Sequence, residues 1–204
     1  MKPVDHWIMG IVLAAGASSR MGTPKALLRG GDGTTLLAHQ AALLHDAGCT
    51  PIAAVVGCDE EEIRAAHAEF EIDWVESLQW EQGQFFSVQA ALREAHEDEA
   101  NGVILLPIDA AGVSAAVVAA LLETALRNPH LEAIVPEFEG RGGHPIFLSK
   151  AFCRALLMLD PASDEARLDL QLAKSSHVLR LPVNDPQILA NINTMEEWER
   201  VKRS

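Results

Sequence analysis

Six short apolar runs recur along the chain, at residues 8–14, 51–57, 72–75, 102–108, 132–136 and 177–183, with helix-like stretches between most of them. Runs this short read as buried strands, and strands alternating with helices build a largely parallel sheet with crossover helices. Leu36 to Ala47 suits the first helix, with Gly48 as its C-terminal stop. Asp59 followed by Glu62 has capping-box spacing and predicts a helix running to about Phe70. Phe85, Val88, Leu92 and Ala95 are spaced three, four and three, which predicts an amphipathic helix over 84–97 entered from Gly83. Ser114 is placed to cap a helix carrying Val117, Val118, Leu121, Leu122 and Leu126. Thr194 and Glu197 repeat the capping-box spacing before Trp198 and Val201. Between 137 and 176 the alternation loosens. EFEGRGGHPIFLSK reads as a glycine-rich hairpin with two short helical stretches after it, an antiparallel insertion expected to cover one end of the sheet. That end is where α/β folds bind ligands.

The chain has 204 residues, 49% of them apolar, which is enough for one well-cored domain spanning 1–204. Tyr is absent and other aromatics are few, so the core must be aliphatic. A net charge of −13 argues against a nucleic-acid or anionic-membrane surface. Nucleotide binding is still compatible with that charge if the few cations are concentrated at one site. Cys49, Cys58 and Cys153 are odd in number and far apart, which disfavours a disulfide framework or a structural zinc site. No uninterrupted apolar run approaches about 18 residues, and no basic segment with a long apolar stretch opens the chain. A cytoplasmic protein is expected.

The segment LAAGASSRMGTPK, 13–25, leaves the first apolar run through a turn of small residues bearing Arg20 and Lys25. Glycine allows close backbone approach, and a turn that presents backbone N–H groups binds anions. Arginine grips phosphate with a bidentate fork, while lysine contributes a mobile point charge. Leu13, Ala14, Ala15, Gly16, Arg20 and Lys25 are therefore candidate phosphate or nucleotide contacts. The spacing is neither G-x-x-x-x-G-K-[ST] nor G-x-G-x-x-G, so a solvated surface turn is the competing reading.

Asp109 follows the run GVILLPI directly, which sets a carboxylate at the C-terminal end of a strand. One carboxylate with substrate phosphates is the usual way of holding Mg²⁺, although a lone Asp also serves as a turn cap. Asn191 and Asn193, two apart before the last helix, offer amide oxygens to a metal or simply cap that helix. Gly83 and Ser87 open the helix at 84 and could face a ligand from its N-terminus. Gly142, Gly143 and His144 mark a close backbone approach with a hydrogen-bonding ring beside it, or a tight β-turn.

The order of these segments changes their weight. LAAGASSRMGTPK, the W…G…S helix entry at 80–87, LPID at 106–109, RGGHP at 141–145 and NINT at 191–194 together resemble the MobA-like nucleotidyltransferase family over about residues 8–200. That family contains the molybdenum-cofactor guanylyl- and cytidylyltransferases. The resemblance implies a Rossmann-like three-layer α/β sandwich of the nucleotide-diphospho-sugar transferase type. It implies an NTP wrapped by the first loop, with Arg20, Lys25 and Asp109 as the catalytic set. Mg²⁺ is then held by Asp109 with Asn191 or Asn193. Gly142, Gly143 and His144 fall in the irregular stretch after the nucleotide-binding half, where the acceptor is expected.

Ala-Ala-Gly in the first motif is nearer the cytidylyl branch, whereas Asn-Ile-Asn-Thr is nearer the guanylyl branch. Ala110 and Ala111 replace the Gln-Pro or Met-Pro common in relatives, and SDEAR at 163–167 only loosely echoes a cytidylyl-branch motif. The implied activity is transfer of an NMP from an NTP, CTP ahead of GTP, to a phosphorylated small-molecule acceptor, molybdopterin first, with release of pyrophosphate. A molybdoenzyme or chaperone is the expected recipient of the product. The alternatives are a sugar- or alcohol-phosphate nucleotidyltransferase and a non-catalytic nucleotide-binding or chaperone-like relative.

Overall fold

A computed structural model describes residues 7–202. The strands are β1 (Ile8–Leu13), β2 (Ile52–Val56), β3 (Asp73–Glu76), β4 (Gly102–Pro107), β5 (Ala133–Phe138), β6 (Arg141–Gly142), β7 (Ile146–Ser149) and β8 (Val178–Pro182). The helices are α1 (Leu36–Asp46), α2 (Glu60–Ala66), α3 (Gln84–Glu97), α4 (Ala115–Arg127), α5 (Lys150–Leu157), α6 (Leu168–Lys174) and α7 (Met195–Val201).

The strands form one mixed sheet in the order β3-β2-β1-β4-β7-β5, and β8 pairs parallel with β5. β1, β2, β3 and β4 are parallel, while β7 runs antiparallel to both β4 and β5. Strand alternation divides the apolar residues between two cores. Ile8 and Val12 of β1 join Ile104 and Leu106 of β4 beneath α1, α4 and Trp198 of α7. Met9, Ile11 and Leu13 join Val103 and Leu105 beneath α3 and α5. The sheet is thus the middle layer of three. Each fully buried Leu, Ile or Val contributes about 1.5–3 kcal/mol, so two aliphatic faces compensate for the scarcity of aromatics.

Three local expectations are corrected. The insertion does not merely cover an end of the sheet, because β7 lies inside it between β4 and β5. The helix expected to reach Phe70 stops at Ala66, and Asp59 makes no capping box. Asp59 occupies the left-handed region at φ 56°, and its carboxylate accepts from the Cys58 thiol instead. His67, buried just past that helix, bonds the Ile63 carbonyl through Nδ1 and the Thr35 hydroxyl through Nε2. Ser114 does stand at the N-cap of α4, yet its hydroxyl donates to Asp185 rather than accepting from the helix. The capping box of Thr194 and Glu197 forms with both of its arms. Gly48 ends the first helical region at φ 107°, where a side chain would be strained.

Candidate active site

The loop after β1 is held at its base and open at its crown. Ala14 N–H donates to Val55 O at 2.8 Å, and Lys25 N–H donates to the Ser18 hydroxyl at 3.1 Å, closing the loop over seven residues. Met21 and Ala26 are buried in the core under α1, whereas Gly16, Ala17, Ser19 and Arg20 are exposed. The result is an arch of small residues at the C-terminal end of β1.

Lys25 reaches from that loop to two other segments. Its Nζ lies 3.6 Å from Asp109 Oδ2 and donates to Asn193 Oδ1 at 3.2 Å. Arg20 donates to the same Asn193 oxygen at 3.3 Å. Four side chains separated by up to 173 positions therefore meet at one point, with the two cations aimed at one amide oxygen. The segments are also tied through their backbones, since Ile192 N–H donates to Asp109 O at 2.9 Å. Glu197 fixes Asn193 by accepting from the N–H groups of Asn193 at 2.6 Å and Thr194 at 3.0 Å. Those backbone bonds hold its carboxyl below the usual carboxylate range. Asn193 thus belongs to the cluster, while Asn191, two residues away, is exposed.

A cavity of about 940 Å³ opens beside this cluster, between the start of α3, the bulged hairpin and residues 161–172. Leu13 and Pro107, from the strand ends that lead into the loop and into Asp109, form part of its wall. Gly83 lines it at φ 136°, and no side chain caps α3 there, so the first N–H groups of the helix face the opening. Ser87 is buried and its hydroxyl is engaged with Ser77 at 3.0 Å.

Gly142, Gly143 and His144 line the same cavity, but the close approaches made by the two glycines are to this chain's own atoms. Residues 143–146 of the return strand oppose only 135 and 136 of β5, which creates a bulge between β6 and β7. A Cβ on Gly143 would sit 2.2 Å from the Ile188 carbonyl oxygen. A Cβ on Gly142 would collide with the guanidinium of Arg180. The close approaches these glycines make are to Ile188 and Arg180, in the wall of the cavity they line. His144 N–H donates to Ile188 O at 2.9 Å, and the residue is half-buried with its ring Nδ1 buried and unpartnered. Burial pushes its imidazole down from 6.5, opposed by the nearby Asp109 carboxylate.

Two contributors escape the sequence reading. Arg180 comes from β8, where it is in register with Val135, and it crosses β5 to reach the cavity. Its isolation as the one charge in VLRLP was the available signal. Gln40 is buried in α1, with Nε2 facing the carbonyls of Pro107, Ile108 and Ala110 around Asp109. A polar residue within the apolar stripe LLAHQAALL was its signal.

A metal would find one carboxylate and one neutral amide oxygen here, Asp109 and Asn193. Among the described residues no group of three His, Cys, Asp or Glu side chains is arranged to hold a metal ion. That donor set suits an ion shared with substrate phosphates, not one held by protein ligands alone.

An open α/β sheet with a cation-bearing loop, a strand-end carboxylate and a large cavity at its C-terminal edge defines a nucleotide-handling protein of the doubly wound class. The chain belongs to the MobA-like NTP transferase domain family, which matches residues 10–177, and it is a nucleotidyltransferase of that family. Rv0371c from Mycobacterium tuberculosis is similar at 29% identity with a TM-score of 0.79, over 97% of this chain and 98% of that one. A complex of Rv0371c with manganese superposes at a TM-score of 0.77 and 26% identity, over 97% and 99% of the two chains. Molybdopterin-guanine dinucleotide biosynthesis protein A from Archaeoglobus fulgidus shares the fold at 17% identity and a TM-score of 0.69, covering 96% and 97%. A comparison with curated protein sequences finds no match. No helix among the described residues is long and apolar enough to cross a membrane.

Proposed function

We propose that this chain transfers an NMP from an NTP, CTP ahead of GTP, to the phosphate of a small-molecule acceptor, molybdopterin being the leading candidate. The observation that carries the reading is the convergence of Lys25 and Arg20 on Asn193 beside Asp109. An acceptor phosphate oxygen attacks the α-phosphorus in line, the α–β P–O bond breaks, and pyrophosphate leaves with the electron pair. Lys25 and Arg20 lie where they would exchange Asn193 for phosphate oxygens and neutralise the charge that builds on the leaving group. No general base is needed when the attacking phosphate is already ionised. Asp109 and Asn193 would hold Mg²⁺, which would supply positive charge to neutralise the substrate phosphates. The cavity beside them accommodates the acceptor, with His144 and Arg180 in its wall.

Molybdopterin leads because the Archaeoglobus neighbour carries that name and shares the fold, and CTP leads because Ala14-Ala15-Gly16 resembles the cytidylyl branch. The three cysteines are unpaired, in keeping with a reducing, cytoplasmic setting. A molybdoenzyme or its chaperone would receive the product. Pyrophosphate release, screened with four NTPs against molybdopterin and against sugar and alcohol phosphates, tests the assignment. Release with CTP or GTP and molybdopterin is expected. Release only with a sugar or alcohol phosphate would reassign the acceptor, and NTP binding without release would leave a non-catalytic binder.

A further inference from the structure

We propose that Gln40, on the far side of the turn from the cavity, is the positioning residue that sets the Asp109 carboxylate for metal binding. The proposal rests on the reading of Asp109 as a metal ligand. Gln40 is 2% exposed and sits inside the apolar core shared by α1, α4 and the sheet. Its Nε2 lies 3.5 Å from Pro107 O, 3.3 Å from Ile108 O and 3.2 Å from Ala110 O. Three carbonyls of the turn that carries Asp109 therefore converge on one amide nitrogen.

The Pro107 carbonyl also accepts from Ala110 N–H. Among the described residues, Gln40 is the one protein donor to the carbonyls of Ile108 and Ala110. The orientation of the amide is determined by that surrounding, because the reverse flip would set an oxygen against three oxygens. Its own Oε1 has no partner. A buried acceptor left unpaired costs about 1–3 kcal/mol, which offsets part of what Gln40 contributes by serving the Ile108 and Ala110 carbonyls. An apolar residue would avoid that cost but leave the buried Ile108 and Ala110 carbonyls without a protein donor. The amide is explained by what it holds, which is the peptide units on either side of Asp109.

Asp109 is also tied by Ile192 N–H, which donates to its carbonyl and carries Asn193 along. Gln40 and Ile192 thus hold one turn through different carbonyls. With Gln40 removed, the turn keeps its strand and its tie to Ile192 but loses the contact that orients two of its peptides. Partners that orient a metal ligand typically change metal affinity by about ten- to a hundredfold.

Gln40→Met removes the donor and the orphaned oxygen while keeping length and volume, and the two carbonyls it leaves without a donor cost stability that the melting temperature reads. The test measures free Mn²⁺ by electron paramagnetic resonance during titration of the protein with a non-hydrolysable α,β-methylene CTP or GTP present. The melting temperature is recorded for each variant. The expected result is an Mn²⁺ Kd raised about tenfold or more in Gln40→Met, with nucleotide affinity measured without metal unchanged. Gln40→Glu serves as the second variant. A carboxyl facing three carbonyls keeps its proton and donates one bond, so it should recover part of the Mn²⁺ affinity. Equal Mn²⁺ Kd values in folded Gln40→Met and wild type would overturn the positioning role alone. A wild-type protein that binds the nucleotide yet no Mn²⁺ would overturn the metal reading of Asp109, and this proposal with it.

Discussion

Replacing Lys25 with Met separates catalysis from stability. The Lys25 side chain is 12% exposed, and Met preserves its packed stem while deleting the charge. At an effective dielectric of about 20, unit charges 3.6 Å apart attract by about 4–5 kcal/mol before desolvation is counted. Little of that figure becomes stability. The Asp109 side chain is 30% exposed and regains hydration when its partner is removed, which leaves a net change of about 1 kcal/mol or less. The functional loss is larger, because a charge-assisted contact to phosphate is worth about 1.5–3 kcal/mol. Steady-state pyrophosphate release should therefore show kcat/KM for the NTP reduced about ten- to a hundredfold, with a melting temperature close to wild type. Without nucleotide, Lys25 and a divalent metal compete for Asp109, so Mn²⁺ should bind Lys25→Met as tightly as wild type or more tightly. A folded variant with unchanged kcat/KM would refute the assignment of Lys25 to the phosphates.

Three further outcomes follow from the geometry. Gly143→Ala places a Cβ 2.2 Å from a backbone oxygen, so the hairpin must shift, and thermal denaturation should show a loss of about 1–3 kcal/mol. Arg180→Met should raise the acceptor KM while leaving the NTP KM unchanged, because Arg180 lines the cavity away from the loop. Equal shifts in both constants would remove Arg180 from the acceptor side. His144 has an imidazole depressed by burial, so the unfolded chain takes up its proton first as pH falls. The stability this residue contributes is present above the unfolded value of 6.5 and declines as pH drops through it. His144→Gln should flatten the dependence of melting temperature on pH between about 7 and 5, and an unaltered slope would contradict the sign.

Much of the fold was legible because it is written in local pattern. The strand runs and the periodicities of α1, α3 and α4 depend on near neighbours, and they lie where hydrophobic spacing puts them. Lys25, Asp109 and Asn193 were legible as separate residues at turn and strand ends, and the fold adds that they meet. What escaped depends on distant partners. IFLS is four residues long, and nothing local says that it pairs with Val103 and Ala133 inside the sheet. Asp59 and Glu62 have the spacing of a capping box, but the left-handed backbone at Asp59 overrides it. Gly142 and Gly143 signal a close approach without naming what approaches. Ile188 is 45 positions from Gly143, and only the tertiary fold brings it there.

The most direct test of nucleotidyl transfer to molybdopterin is mass spectrometry of the product. The purified protein would be incubated with Mg²⁺, molybdopterin and each of the four NTPs in turn. The account predicts one new species, heavier than the acceptor by a bound CMP or, failing that, GMP, with one pyrophosphate released per molecule formed. It further predicts that Asp109→Asn and Lys25→Met form that species far more slowly. Unmodified molybdopterin after incubation with every NTP, under conditions where the NTP demonstrably binds, would contradict it.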